Sequence, residues 1–507
     1  MSAPLSPAFL ALPLGRVADA ALQAAADAGA GHADVRVERS RRQDVAMRDS
    51  QLESLSDDVS VGLAVRVVHE GTWGFASGPD VTPEEAVRLV GQAVEMARTA
   101  GPLNAEPVEL ADEPVHAGVT WVSAYDVDPF EVPSAEKVAL LGGWSRQLLA
   151  SDHVQHADAH LQQVLENKFY ADSAGSSTTQ QRVRLLPQLT ATKIDPGGRF
   201  ETMRTTAPPV GRGWEYLGSG DGAWDWAGEL ARLPELLGEK AAARSVEPGT
   251  YDLVVDPSNL WLTIHESIGH ATELDRALGY EAAYAGTSFA TLDRLGSLRY
   301  GSDLMHVTGD RTVPHGLATV GYDDEGVQAQ QWDLVRDGTL VGYQLDRRMA
   351  RQNAAVLGVT RSNGCAFADA PEHVPIQRMA NVSLQPAAGG PSTEELIAGV
   401  DRGIYVVGDK SWSIDMQRFN FQFTGQRFYE IRAGRVVGQL RDVAYQATTT
   451  DFWGSMAAVG GPQTYVLGGA FNCGKGQPGQ VAPVSHGCPS ALFRGVNILN
   501  VAQESGR

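Results

Sequence analysis

Residues 256–279, DPSNLWLTIHESIGHATELDRALG, place two histidines and a glutamate inside one predicted helix. Asp256 is typical of a helix amino-terminal cap, Pro257 of a first turn and Gly279 of a carboxyl-terminal end. Apolar residues recur at helical spacing between these ends, at Leu260, Trp261, Ile264, Ile268, Ala271, Leu274 and Leu278. The stretch therefore predicts a helix of about six turns with one face against a core.

His265, Glu266 and His270 form an H-E-x-x-x-H pattern, one residue longer than the H-E-x-x-H zinc signature. Residues five apart on a regular α-helix diverge by roughly 140°, whereas one π-type turn would reduce this angle to roughly 50°. We therefore predict a local widening at Gly269, because glycine is unfavourable in a regular helix interior. The functional interpretation is two zinc ligands with Glu266 as the base that activates water. The alternative is a chance pattern among 12 histidines, so the interpretation requires a third ligand.

The composition describes a soluble globular protein of more than one domain. The chain has 507 residues, of which 43% are hydrophobic and 20% charged, and this length predicts two or three domains. Its net charge of −20 disfavours direct binding to nucleic acid or to an anionic membrane. No apolar run reaches the length of a membrane span, and the start MSAPLSPAFLALPLGRVADA lacks the basic region of a signal peptide. Three cysteines without a C-x-x-C pair fit a reducing compartment, so we expect a cytoplasmic protein.

The order of the predicted elements indicates an α+β fold with two domains. Helices are predicted at 15–28, 83–98, 134–150 and 224–244. Strands are predicted at 33–38, 45–47, 60–68, 73–76, 156–165, 168–171 and 181–193. Helix, strands and helix thus occur twice, which suggests two related layers in an amino-terminal α+β domain of residues 1–245.

Residues 246–249, VEPG, interrupt this pattern and precede a second predicted domain, residues 246–507. It is expected to be β-rich around the zinc-binding helix. Its predicted strands are 251–255, 338–345, 419–431 and 436–447, with a hairpin at Ala433 and Gly434.

Two further patterns allow a functional and a structural interpretation. Phe419, Phe421 and Phe423 alternate with polar residues, so a free edge of this strand could pair with an extended peptide; an ordinary half-buried strand gives the same pattern. The cluster His153, His156 and His160 could bind a second metal, although a solvated strand face explains the polar alternation as well.

Cys473 is the best candidate for the third zinc ligand. It lies in residues 468–477, GGAFNCGKGQ, where a nearby lysine and a glycine-rich backbone would favour the thiolate. The alternative is a buried cysteine that acts as a small apolar side chain. Cys365 and Cys488 are poorer candidates.

HESIGHATELDRALGYEAAYAGTSF together with FNCGKGQPGQ closely resembles the TldD/PmbA family of metallopeptidases, in its metal-binding TldD branch. The resemblance covers nearly the whole chain. It implies His265, His270 and Cys473 as zinc ligands and Glu266 as general base. It also implies small or unstructured polypeptides as substrates, bound as extended strands, and a homodimer or a heterodimer with a PmbA-like subunit. No residue that polarises the scissile carbonyl carries over.

His486 and Arg427 are candidates for that polarising role, although His486 could equally be a polar loop residue and Arg427 an exposed strand residue. The leading hypothesis is a cytoplasmic zinc peptidase in which Glu266 accepts a proton from the attacking water. A second hypothesis is a non-catalytic peptide-binding or maturation partner with a structural zinc, which predicts four protein ligands. A third is thiol chemistry by Cys473 without metal.

Overall fold

The computed structural model describes residues 4–194, 198–476 and 479–504, which form mixed helices and strands. Seven strands make the amino-terminal sheet. In spatial order they are Thr72–Gly78, Gln51–His69, His32–Arg48, His156–Asp172, Ser177–Ile194 and Val119–Val122, with Phe200–Arg204 also paired to Ser177–Ile194. Neighbours run antiparallel except Val119–Val122, which is parallel to Ser177–Ile194.

Helices cover this sheet and supply its two cores. They are Pro7–Leu10, Leu14–Asp27, Pro83–Ala100, Ser134–Leu149 and Trp226–Ala242. Pro83–Ala100 illustrates the local cause: the hydroxyl of Thr82 accepts a hydrogen bond from the Glu85 N–H at 3.2 Å, and Pro83 occupies the first turn. Among the described residues, no helix is long and apolar enough to cross a membrane.

The carboxyl-terminal sheet has eight strands. They are Arg244–Ser245, Gly249–Val255, Arg402–Ile414, Asn420–Arg432, Arg435–Arg441, Val443–Thr448, Met456–Val459 and Ala491–Asn500. Pairing of Arg402–Ile414 with both Gly249–Val255 and Asn420–Arg432 closes five of these strands into a ring around a core. That core includes Leu253, Phe423, Tyr445 and Phe493.

Smaller sheets and short helices complete this part of the chain. A four-stranded sheet contains Val307–Asp310, Gln331–Arg336, Thr339–Leu340 and Asn381–Leu384, and a two-stranded one contains Ala366–Phe367 and Ile376–Gln377. Val466–Lys475 and Gln480–Cys488 form a further pair, the ligand hairpin. The helices are Pro257–Ile264, Leu274–Ala277, Arg347–Gln352, Ala354–Leu357, Thr393–Ala398, Thr449–Gly454 and Val501–Glu504.

Several predicted strand boundaries are wrong. The strands predicted at 33–38 and 45–47 are parts of His32–Arg48, and those at 156–165 and 168–171 are parts of His156–Asp172. The two strands pair along their whole length, so polar residues between the apolar runs lie inside one ladder. The two predicted layers are accordingly one sheet.

The carboxyl-terminal predictions also change. The strand predicted at 436–447 divides at Asp442, which has a φ of 60°, and that at 338–345 shortens to Thr339–Leu340. The predicted hairpin at Ala433 and Gly434 is confirmed, with φ values of 48° and 75°. Asn420–Arg432 has strand partners on both sides, so the predicted free peptide-binding edge is wrong at this position.

Buried ion pairs join the amino-terminal sheet to residues 323–325. Arg66 donates to Asp34 at 2.8 Å and to Glu325 at 3.0 Å, and Lys168 donates to Asp324 at 2.7 Å. Burial alone would raise the pKa of Asp34, but the charges and hydrogen bonds of Arg66 and His32 together outweigh burial and lower that pKa to about 2. The amino-terminal sheet is therefore joined to this segment by buried ion pairs.

Candidate metal centre

The H-E-x-x-x-H segment contains the predicted π-type turn. A regular helix, Pro257–Ile264, passes into a π turn over His265–Gly269 and a 3₁₀ turn over His270–Thr272. A Cβ at position 269 would lie 2.5 Å from the sulfur of buried Met379, so the packing there fits glycine. The single helix predicted to residue 279 is wrong, because the chain is extended at Glu273 before the short helix Leu274–Ala277.

The π turn brings His265 and His270 together with Cys473 of the ligand hairpin. One candidate ligand atom from each residue lies within 4.8 Å of the other two, and His270 Nε2 is 3.5 Å from Cys473 Sγ. All three side chains are buried. Tetrahedral zinc with bonds of about 2.0–2.3 Å would place its ligand atoms about 3.3–3.8 Å apart, a separation that the His270–Cys473 pair already has. The donor set and spacing therefore fit zinc.

Hydrogen bonds leave one nitrogen of each ring available to a metal. His486 Nδ1 donates to the Val382 carbonyl at 2.8 Å, so His486 Nε2 accepts from His265 Nδ1 at 2.7 Å. His270 Nδ1 donates to Glu273 Oε2 at 2.8 Å. The Nε2 atoms of His265 and His270 consequently carry free lone pairs. Burial lowers the pKa of both histidines, which favours this neutral form.

Glu273 is held as an anion behind His270. Burial would raise its pKa, but the charge of Lys475, the hydrogen bond from His270 and the charge of Arg276 together keep that pKa well below its ordinary value. Lys475 Nζ lies 3.3 Å from Glu273 and 2.8 Å from Asp275. Both Glu273 and Lys475 lie inside the two recognised motifs, but their pairing was missed because the motifs are distant in sequence.

Cys473 differs from the other two cysteines. Burial would raise the pKa of its thiol, but His270 and Arg378 outweigh burial and lower it. The prediction that Lys475 supplies the nearby cation is wrong, because its ammonium group binds carboxylates and the Gln377 carbonyl. Burial raises the pKa of Cys365 to about 12 and that of Cys488 well above its ordinary value. Cys473 is thus the cysteine suited to thiolate. Gln477 and Pro478 of its motif lie outside the described residues.

Glu266 is paired with Arg418, a residue that the sequence interpretation missed. Arg418 Nη1 donates to Glu266 Oε2, and Arg418 Nε has no hydrogen-bond partner although it is buried. The backbone of Arg418 has a φ of 63° in a turn stabilised by Asp415, which accepts from the Phe419 and Asn420 N–H groups. The Asp415 turn was a signal in the sequence, but only the fold shows that it faces Glu266.

The two candidates for carbonyl polarisation lie elsewhere. Both ring nitrogens of His486 are engaged inside the core, so it is neither a loop residue nor free to contact a substrate. Arg427 is half-buried in a cavity described below. The three-histidine site is also wrong, because His156 pairs with Asp49 and His160 with Asp44, and the described residues contain one candidate metal cluster, His265, His270 and Cys473.

A cavity of about 850 Å³ lies beside the cluster. Trp261 lines it and also packs against the rings of His265 and His486, with centroid distances of 6.3 Å. Residues 468–472 of the ligand hairpin line it as well. Their strand pairs only with Gln480–Cys488 among the described residues, so its other edge has no strand partner there.

Two family models match the chain: PmbA/TldA metallopeptidase domain 1 over residues 33–97, and the PmbA/TldA metallopeptidase C-terminal domain over residues 248–500. Together they match more than half of the sequence. A metalloprotease of Methanocaldococcus jannaschii is 26% identical over 90% of this chain and 94% of its own length. A zinc metalloprotease TldD homolog of Saccharolobus solfataricus is 21% identical over 92% of this chain and 96% of its own. TldE from Thermococcus kodakarensis shares the fold, with a TM-score of 0.69 at 16% identity over 95% of this chain and 99% of that one.

We predict that Glu273→Gln lowers zinc affinity about 10- to 100-fold, because the anion behind His270 fixes its tautomer and increases its basicity. Competition with a chromophoric chelator measures this. Glu109→Gln, at an exposed ion pair with Arg351, is the matched control and should leave the affinity unchanged. Equal affinities in the two variants would contradict the assignment of His270 as a ligand oriented by Glu273.

Proposed function

This chain belongs to the TldD/PmbA family of metallopeptidases, and we propose that it is a zinc-dependent peptidase acting on small or unstructured polypeptides. The buried cluster of His265, His270 and Cys473 carries the proposal, because two neutral imidazoles and a cysteine with a lowered thiol pKa form a zinc donor set. A zinc ion bound there would supply the Lewis acidity that activates water and polarises a peptide carbonyl.

In the proposed mechanism, Glu266 accepts the proton of the attacking water and passes it to the leaving nitrogen. Arg418 donates to the carbonyl oxygen as negative charge develops there. The position of Arg418 supports this role. Its guanidinium contacts Glu266, and its Nε–H has no hydrogen-bond partner among the described residues. The guanidinium also orients the Glu266 carboxylate before substrate enters.

The proposed substrate form follows from the ligand hairpin. Its strand Val466–Lys475 carries Cys473 and also lines the cavity with residues 468–472. An extended polypeptide can satisfy its backbone donors and acceptors on such a strand edge without relying on side chains. We therefore assign substrate recognition to this edge instead of to Asn420–Arg432.

The proposal extends to the organisation of the protein. We propose domains of residues 1–245 and 246–507, because the strands of the amino-terminal sheet end at Arg204 and those of the carboxyl-terminal sheet begin with the short strand Arg244–Ser245 at this boundary. The relation to TldE supports a PmbA-like partner, with a second copy of this chain as the alternative. Three buried free cysteines are compatible with the cytoplasm.

A structural zinc in a non-catalytic peptide-binding protein would require a fourth protein ligand. The candidate cluster contains three residues within the described ranges, which supports an open coordination position and hence the peptidase. Thiol chemistry by Cys473 without metal is distinguished by elemental analysis of the purified protein.

Glu266→Ala should reduce peptide cleavage by at least about 100-fold and leave zinc bound, because Glu266 moves protons and does not ligate metal. Cys473→Ala should instead lower the zinc content. Metal analysis and digestion of unstructured peptides measure both effects. Cys488→Ala removes another buried thiol and should retain zinc and activity. Zinc loss in Glu266→Ala, or full zinc in Cys473→Ala, would refute the ligand assignment.

Arg418→Met should lower kcat about 100- to 1,000-fold and change KM little, because the proposed hydrogen bond forms as the transition state develops. Steady-state kinetics on one unstructured peptide provide the test. Arg432→Gln, at an exposed arginine paired with Glu430, serves as the control and should match the parent. A rise in KM with unchanged kcat would assign Arg418 to substrate binding instead.

Unstructured peptides of varied sequence should be cleaved, whereas the same segments inside a stable fold should resist, because a folded domain cannot lend a strand without partly unfolding. The test is to measure the rate of digestion of a small stable protein and of an unfolded variant of the same protein. Equal rates for native and unfolded forms, or cleavage of one short sequence alone, would exclude strand addition.

A further inference from the structure

The cavity beside the metal cluster contains acidic and basic side chains, and several of them are already engaged by neighbouring groups. Arg204 pairs with Asp409. Asp256 accepts from Tyr405 Oη at 2.7 Å, and Glu229 accepts from Thr206 Oγ1 at 2.7 Å. These groups line the cavity but have little capacity left for a charged ligand.

Arg427 differs from them. It lies on Asn420–Arg432 and lines the cavity together with Tyr405 and Tyr429, whose stacked rings have centroids 6.0 Å apart. Its guanidinium contacts the Tyr429 hydroxyl, but its Nε is buried without a hydrogen-bond partner, and none of the ion pairs among the described residues includes it. A half-buried guanidinium with unused donors is a binding group for a planar anion, because its fork of N–H groups matches two oxygens at once.

We propose that Arg427 binds a carboxylate of the polypeptide substrate, either an acidic side chain or the carboxyl terminus. The inference rests on the proposed function only in that the ligand is a peptide. The cavity-lining residues 468–472 directly precede Cys473, and a strand rises about 3.3 Å per residue, so the far end of this stretch lies roughly 15 Å from the thiol. A peptide paired along this stretch could therefore reach from the metal cluster into the cavity that Arg427 lines.

The net charge of −20 opposes this preference at long range. At physiological ionic strength, however, interactions between solvent-exposed charges are screened beyond about 8 Å, whereas a half-buried pair is screened much less. Local pairing with Arg427 consequently outweighs the repulsion of the distant surface, and the preference for carboxylates persists at moderate salt.

Isothermal titration calorimetry with three short unstructured peptides tests the site, using the full chain with Glu266→Gln to prevent turnover. One peptide carries a glutamate and an amidated terminus, the second a glutamine and a free terminus, and the third a glutamine and an amidated terminus. We expect at least one of the first two to bind about tenfold more tightly than the third. The peptide with the higher affinity shows whether Arg427 binds an acidic side chain or the carboxyl terminus.

The gain should disappear in Arg427→Gln and remain in Arg232→Gln, which removes an exposed arginine of the same cavity. Equal binding of all three peptides, no binding at millimolar concentration, or a gain that survives Arg427→Gln would overturn the proposal. If Arg427→Gln does not fold, as judged by circular dichroism, the peptide comparison on the parent chain decides. Failure of the proposed function is separate: the wild-type protein would then bind peptides through Arg427 and cleave none.

Discussion

The extra residue between His265 and His270 is the constraint on which the site depends. A regular helix cannot direct both rings to one point, and the π turn that does so frees backbone carbonyls in a buried region. The core satisfies them: Tyr300 donates to the Ser267 carbonyl, and Gln344 Nε2 donates to the Gly269 carbonyl at 2.8 Å. Trp453 Nε1 donates to Ser267 Oγ at 2.9 Å. The turn is therefore maintained by side chains from three distant segments.

The cluster is also the point where two distant motifs become one unit. Glu273 follows the π turn and Lys475 follows Cys473, and their buried pairing joins the helix to the ligand hairpin. Asp275 and Glu281 share the same ammonium group. Buried charges of this kind cost desolvation and do not by themselves stabilise a fold. Their value here is geometric, because they fix the separation between the histidines and the thiol.

The sequence predicted the chemistry of the H-E-x-x-x-H segment, because periodicity and residue spacing report on neighbouring residues in the chain. The π turn followed from counting residues between two histidines. Arg418 did not, since its approach to Glu266 depends on a turn with positive φ placed by tertiary packing. The long strand His32–Arg48 was divided in the prediction because its polar residues are partnered across the sheet, as Arg41 is by Asp57 of the neighbouring strand at 2.7 Å. Alternation of apolar residues cannot reveal such partners.

One strand of the ligand hairpin carries the thiol and also lines the cavity. In this arrangement, the affinity for a peptide and the register in which the peptide binds depend on different contacts. Backbone pairing would hold any extended chain, but side chains alternate between strand faces, so a slip of one residue reverses every side chain. A sequence-independent edge therefore leaves the position of the cleaved bond undefined. An unneutralised guanidinium at Arg427 would define it, because only registers that bring a carboxylate to Arg427 gain its ion pair. General binding and a preferred cleavage position then arise from different parts of the same cavity.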